Sequence, residues 1–264
     1  MSSKKESESQ LPTVYDYGNH AGRGYEGTSG DDYAIPFLSL LQQMSPECGQ
    51  SEGAIEGAKA GMFLNSVTKE LYDGKKGIIF VPCATQHVFI EWRPREAGGG
   101  IVGRHGVESP IVAKARAAAV NYGSYKTETG NDLIETFYMF GYMLENSEDT
   151  VPGSMIVVPF TSTKIKKYRQ VMQTLRTFRG RPPLFANRLR ITSVLEKNNK
   201  GNFFNVELRP LNGGVGESLI PPMINGAQNP LLLAGETLME QVVQGTATIS
   251  GETSHEDRTQ QIPF

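Results

Sequence analysis

Cysteine is scarce in this chain. Cys48 and Cys83 are the only two among 264 residues, too few and too far apart for a disulfide framework or a zinc pattern. Histidine is nearly as rare: His20, His87, His105 and His255 are scattered, with no His-Glu-x-x-His spacing to mark a metalloprotease. No apolar run approaches the roughly 18 residues of a membrane span. The opening residues Met1-Ser2-Ser3-Lys4-Lys5-Glu6 do not read as a signal peptide. The expected location is therefore the cytoplasm. Catalytic constellations are missing as well. A two-metal nuclease would carry several carboxylates on strand ends; Glu91 and Glu135 could stand there, but nothing marks them and neither has a histidine at ligand spacing. The expectation is a protein that is not an enzyme and uses neither metal nor cofactor.

What is present is a chain of changing character. Residues 1–32 are rich in Ser, Gly, Glu and Asp and read as a disordered segment, unable to bury enough apolar surface to offset ordering entropy. Pro36, Phe37, Leu40, Leu41 and Met44 have helical spacing. Strand signals dominate from Gly61 to about Leu211. Gly77 to Cys83 and Gln86 to Trp92 read as a hairpin. Ile134 to Leu144 and Met155 to Phe160 follow as strands. Asn187 to Leu195 and Asn202 to Arg209 form a second hairpin around Asn198-Asn199-Lys200-Gly201. Ser109-Pro110 opens one helix. A second spans Thr163 to Phe178 and keeps Ile165, Tyr168, Met172 and Leu175 on one face. A third opens at Asn229-Pro230 with Leu231, Leu238 and Val242 on one side. Residues 33–244 are thus expected to form the folded domain, and 245–264 a flexible acidic tail.

Charge of one sign is missing from two long stretches. Between Thr150 and Leu195 there is no Asp or Glu, while Lys164, Lys166, Lys167, Arg169, Arg176, Arg179, Arg181, Arg188 and Arg190 occur. Between Leu211 and Asp257 there is no Lys or Arg. A polyanionic ligand accounts for the first stretch, because each cation set against a phosphate releases a counterion; a solvated helix face is the plainer account. Lys164, Lys166 and Lys167 stand in the first turn of the second helix, where the dipole disfavours cations. Thr161, Ser162 and Thr163 just before them make a phosphate the natural relief.

Alternation assigns faces along strands. Phe204, Val206 and Leu208 fall on a core side. Phe203 falls among polar residues, where base stacking explains it better than burial. Arg188 and Arg190 face away from Leu189 and Ile191 and are expected to share a surface with Phe203. Tyr138, Phe140 and Tyr142 read as core. Trp92 shares a face with Val88 and Ile90 and reads equally as core or as a stacking ring. Arg93, Arg95, Arg104 and His105 border a Gly-rich loop over Gly98 to Gly106, which lacks the Gly-Lys-Ser/Thr of a phosphate-binding P-loop. Tyr122, Tyr125 and Lys126 add rings and charge after the first helix.

The last residues, Gln261-Ile262-Pro263-Phe264, resemble the C-terminal tip of bacterial single-stranded DNA-binding proteins, with Glu256 and Asp257 upstream as its acidic part. Gln260 and Gln261 stand where that family usually has aspartates, and Arg258 interrupts the acids. The resemblance implies that Ile262, Pro263 and Phe264 bind replication or recombination proteins. The general pattern is also similar to the OB-fold single-stranded DNA-binding proteins of tailed bacteriophages. The expected fold is mainly β with inserted helices (α+β), an OB-fold-like barrel with disordered N- and C-terminal tails. The expected function is sequence-independent single-stranded DNA binding in replication, recombination and repair. Rivals are a single-strand annealing recombinase, a nuclease and a virion structural protein. Self-association into a homo-oligomer is open at this point.

Overall fold

The computed structural model describes residues 23, 24, 26, 34–49, 53–121, 123–199, 201–247 and 249. In chain order its strands and helices are β1 (Leu38–Leu40), β2 (Phe63–Asn65), β3 (Leu71–Tyr72), β4 (Ile78–Trp92), β5 (Ile101–Gly106), α1 (Pro110–Ala118), β6 (Tyr125–Lys126) and β7 (Asp132–Leu144). There follow β8 (Ser154–Thr161), α2 (Thr163–Thr177), β9 (Leu189–Asn198), β10 (Gly201–Pro210), α3 (Val215–Ser218), β11 (Met223–Ile224), β12 (Ala227–Gln228) and α4 (Pro230–Gln244). The architecture is α+β. Among the described residues no helix is long and apolar enough to cross a membrane.

Two long strands organise the seven-stranded sheet. β4 has 15 residues and β7 has 13, and they pair antiparallel from Ile79↔Leu144 to Trp92↔Asp132. β9 and β10 extend the sheet beside the first half of β4, β5 joins its second half, and β6 and β8 flank β7. The two runs expected to form a hairpin at 77–92 are therefore one continuous strand. Ala84-Thr85 supplies no turn residue. The interruption is a bulge between Pro82 and Ala84, a place where a proline with no N–H to donate is tolerated. The bulge also changes parity. Ile79, Val81 and Cys83 face one core before it, and Ala84, Val88, Ile90 and Trp92 face the same core after it. Gly141 lies opposite Pro82. A Cβ there would sit 2.0 Å from the Val81 carbonyl oxygen, so only glycine allows the strands to close on the bulge.

Helices cover both faces. α4 lays Leu231, Leu238 and Val242 against Val81, Val88, Tyr138 and Phe140, held at its start by Asn229, whose side chain accepts from the Leu231 N–H. On the opposite face α2 places Ile165, Tyr168, Val171 and Leu175 over Phe80, Phe137, Met139 and Phe160. α1 places Val112 and Ala115 over Phe89, Tyr125 and Leu133. β7 is thus covered on both sides, which accounts for its apolar run from Phe137 to Leu144.

The OB-like barrel is not formed. β8 and β10 are sheet edges that no backbone ladder joins. The segment around β1 spans the gap with one isolated parallel bridge, Phe37↔Val157, and one side chain. Gln42 accepts from the Phe204 N–H and donates to its carbonyl, both at 2.9 Å, and so blunts the β10 edge without closing it. β1 itself pairs with β2 in a separate three-stranded sheet, so the helix expected at Pro36 to Met44 is a strand. Met44, expected on an apolar helix face, is 80% exposed. Near the other end, Ile249 bridges to Ile35 and packs with Ala247 against the core under α4. The first part of the expected tail is therefore docked.

Candidate functional site

Charged residues inside apolar strands identify the site. Glu135 of β7 is only 7% exposed. It lies on the sheet face covered by α1 and α2, and basic groups from three elements converge on its Oε1. His87 Nε2 of β4 lies at 3.0 Å, Arg169 of α2 at 3.4 Å and Arg116 of α1 at 3.8 Å. Rings set the positions of all three. The His87 ring stacks on Phe137 at 3.9 Å, and Phe137 stacks on Tyr168 at 4.7 Å. The Arg116 guanidinium lies over Phe89 at 4.7 Å and that of Arg169 over Phe137 at 5.5 Å, an attraction between cation and ring face. Burial lowers the pKa of His87. Glu135 opposes that shift, and Arg116 and Arg169 reinforce it.

A second pair lies further along the same face. His105 of β5 meets Glu91 Oε2 at 2.7 Å, and the Asn131 amide donates to Oε1 at 2.7 Å. Burial alone would raise the Glu91 pKa, but the hydrogen bonds from Asn131 and His105 outweigh it and hold the carboxyl below its usual range. Glu91 borders a recess of about 190 Å³ with Pro110, Ile111 and Lys114. A larger groove of about 670 Å³ lies between Tyr72, Ile79, Met143 and Arg190. Among the described residues no group of three metal-ligating side chains comes together.

The residues singled out in the sequence do not form one trough. Trp92 and Tyr125 are core residues, 6% exposed each. Arg93 and Arg95 are exposed where β4 ends. Gly103 to Gly106, expected in a loop, belongs to β5. This sends Arg104 over the Tyr138 ring at 5.5 Å and His105 to the opposite face. Lys126 pairs with Asp132 at 2.8 Å. The three lysines at the start of α2 separate: Lys164 is buried, Lys166 exposed, and Lys167 bound to Glu196 at 2.6 Å. Arg188 donates to the carbonyls of Ser147, Ser218 and Leu219 and so ties loops together. Arg190 donates to the Lys76 carbonyl. Phe203 pairs with Glu196 while Arg190 pairs with Arg209. Phe203 and Arg190 share a face but stand six residues apart along the strands, about 20 Å. Tyr122, Ile262, Pro263 and Phe264 lie outside the described residues.

Of the expected set only Arg169 belongs to the Glu135 cluster. His87 and Arg116 were missed. The available signal was parity: His87, Glu91 and Glu135 are polar residues at inward positions of otherwise apolar strands, where an uncompensated charge is costly and demands partners.

Comparison with known families settles membership. The family described as Pam3 phage gp34-like protein has a model that matches residues 4–248. The chain belongs to the Pam3 phage gp34-like protein family. No curated protein and no solved structure matches it. These findings correct the resemblance drawn from the sequence. The family match carries no signature of OB-fold single-stranded DNA-binding proteins, and the sheets are open. Single-stranded DNA binding, and with it a role in replication, recombination and repair, has no support in fold or kinship. The viral setting, by contrast, agrees with the family.

Proposed function

We propose that this Pam3 gp34-like protein is a phage binding protein, not a catalyst, that captures an anionic group at the Glu135 cluster. The observation that carries this reading is the convergence of Arg116, Arg169 and His87, all part-exposed, on one buried carboxylate. Each guanidinium approaches Glu135 Oε1 at more than the roughly 2.7–2.9 Å of a strong charge-assisted hydrogen bond. The arginines are 38% and 52% exposed at their side chains, so an incoming anion reaches them from solvent. Their ring contacts hold the forks in place beforehand, which lowers the ordering cost of binding.

A thermal-shift comparison at fixed ionic strength tests the reading. Replacing chloride by sulfate, phosphate or a dicarboxylate stabilises the wild type, by about 2.7 kcal/mol at a hundred times Kd. In the Arg116→Ala, Arg169→Ala double variant that anion-specific gain disappears. Equal melting points for the wild type in every salt would end the proposal.

A further inference from the structure

Outside the Glu135 cluster, charge is segregated between the two faces of the main sheet. On one face α2 runs into the turn Arg179-Gly180-Arg181, and Arg176, Arg179 and Arg181 are all exposed. Among the described residues their guanidiniums have no hydrogen-bond or ion-pair partner. Glu217 of α3, beside the Gly216 that packs near the Phe178 ring, forms an ion pair with none of them. On the opposite face α4 carries Glu236 and Glu240 on its exposed side, one helical turn apart. Leu233 and Val243, 44% and 76% exposed, flank them. The Leu231 N–H donates to the Thr150 carbonyl at 3.1 Å, which seats the loop between β7 and β8 at the start of α4. That loop adds the exposed Glu145 and Glu148. Among the described residues none of these four carboxylates is in an ion pair.

We infer that the arginine end of α2 in one copy docks on the glutamate side of α4 in the next, so that the protein assembles head to tail. Complementary charge favours this contact. It also disfavours the two symmetric contacts, which set arginine against arginine or glutamate against glutamate. The patches lie on opposite faces of one sheet, so two rigid copies cannot satisfy both at once. Each added copy therefore presents a fresh arginine patch at one end or a fresh glutamate patch at the other. A heterologous contact of this kind propagates into a filament or closes into a ring. The exposed Leu233 and Val243 gain cover in the same contact. One helix side against another is a small, polar interface, so the association is weak and sensitive to salt.

Sedimentation velocity of the full chain over a dilution series tests the assembly, in low salt and in about 1 M salt, where the screening length falls to about 3 Å. In low salt the average mass is expected to rise with concentration past that of a dimer, and in high salt to return to the monomer. The variant Arg176→Glu, Arg179→Glu, Arg181→Glu stays monomeric in low salt, and so does Glu236→Arg, Glu240→Arg. An equimolar mixture of the two associates again, because the reversed α2 of one fits the reversed α4 of the other, and the unreversed patches fit as well. A wild type that stays monomeric at every concentration in low salt overturns the inference. Growth that stops at a dimer overturns the head-to-tail geometry. A mixture that stays monomeric overturns the pairing of these two helices. Should a charge reversal unfold the chain, the milder pairs Arg176→Gln, Arg179→Gln and Glu236→Gln, Glu240→Gln take its place. Each is expected to weaken low-salt association by up to about tenfold, and association unchanged in either pair overturns the inference.

Discussion

The two faces of the β4–β7 pair are made by the same strands and yet differ in kind. Under α4 the face carries Val81, Val88, Ile90, Trp92, Tyr138 and Phe140, apolar or amphipathic rings throughout. Under α1 and α2 the face alternates rings with ionisable groups: His87, Phe89 and Glu91 on β4, and Glu135 and Phe137 on β7. The first face spends its positions on burial. The second holds carboxylates that need partners to remain in place, and the partners come from helices that the strands alone do not determine. One face thus works as the structural keel, and the other holds paired ionisable groups.

Substitutions should reveal that asymmetry. The largest effect is expected on the α4 face, where Phe140→Ala removes a ring that is 2% exposed and costs about 3–5 kcal/mol in denaturant unfolding. Next comes Glu135→Ala on the opposite face. It leaves Arg116, Arg169 and His87 without their common acceptor and costs about 1–3 kcal/mol. A loss as large as that of Phe140→Ala would place Glu135 in the keel and erase the distinction.

The third effect is pH-dependent. Because the folded-state pKa of His87 is lowered from 6.5, the unfolded chain binds the proton more readily. Its stabilising share is full above 6.5 and is lost as pH falls toward the folded value. Melting temperatures followed from pH 7 to 5 should decline, and decline less in His87→Gln. Glu91 acts in the same direction at lower pH: its depressed pKa contributes stability above 4.5 that is lost on further acidification. An unchanged slope in His87→Gln would assign the decline to other groups. The smallest effect belongs to Lys114→Ala. Its partner Glu128 lies at 3.1 Å with both side chains more than half exposed, so the change stays within about 0.5 kcal/mol.

Local signals located most of the elements. Pro110 and Pro230 stand at the first positions of α1 and α4, and the apolar spacing of Ile165, Tyr168 and Leu175 places α2 correctly. The β9–β10 hairpin follows from its turn and alternation. Two readings failed for identifiable reasons. The spacing of Phe37, Leu40 and Leu41 fits a helix, but the segment is consumed by pairing with β2 and by the gap beside β8, a tertiary demand that overrides periodicity. The β4 run looked like two strands because a bulge at Pro82 and a loop both interrupt a pattern.

The site was less legible. Its cations were visible as a basic stretch, but composition cannot distinguish Arg169 at a buried carboxylate from Lys167 and Arg188, which are engaged in holding the fold. Arg116 sits in an alanine-rich helix with no marker at all. Only the antiparallel register that sets β4 against β7, and the seating of two helices over it, brings residues 87, 116, 135 and 169 together.

By itself the sequence determined where turns, caps and apolar stripes fall, because those preferences act over a few residues. Which edges remain open and which charges find partners inside the fold was decided by tertiary packing. Those outcomes depend on distances between segments tens of residues apart, and no local preference encodes them.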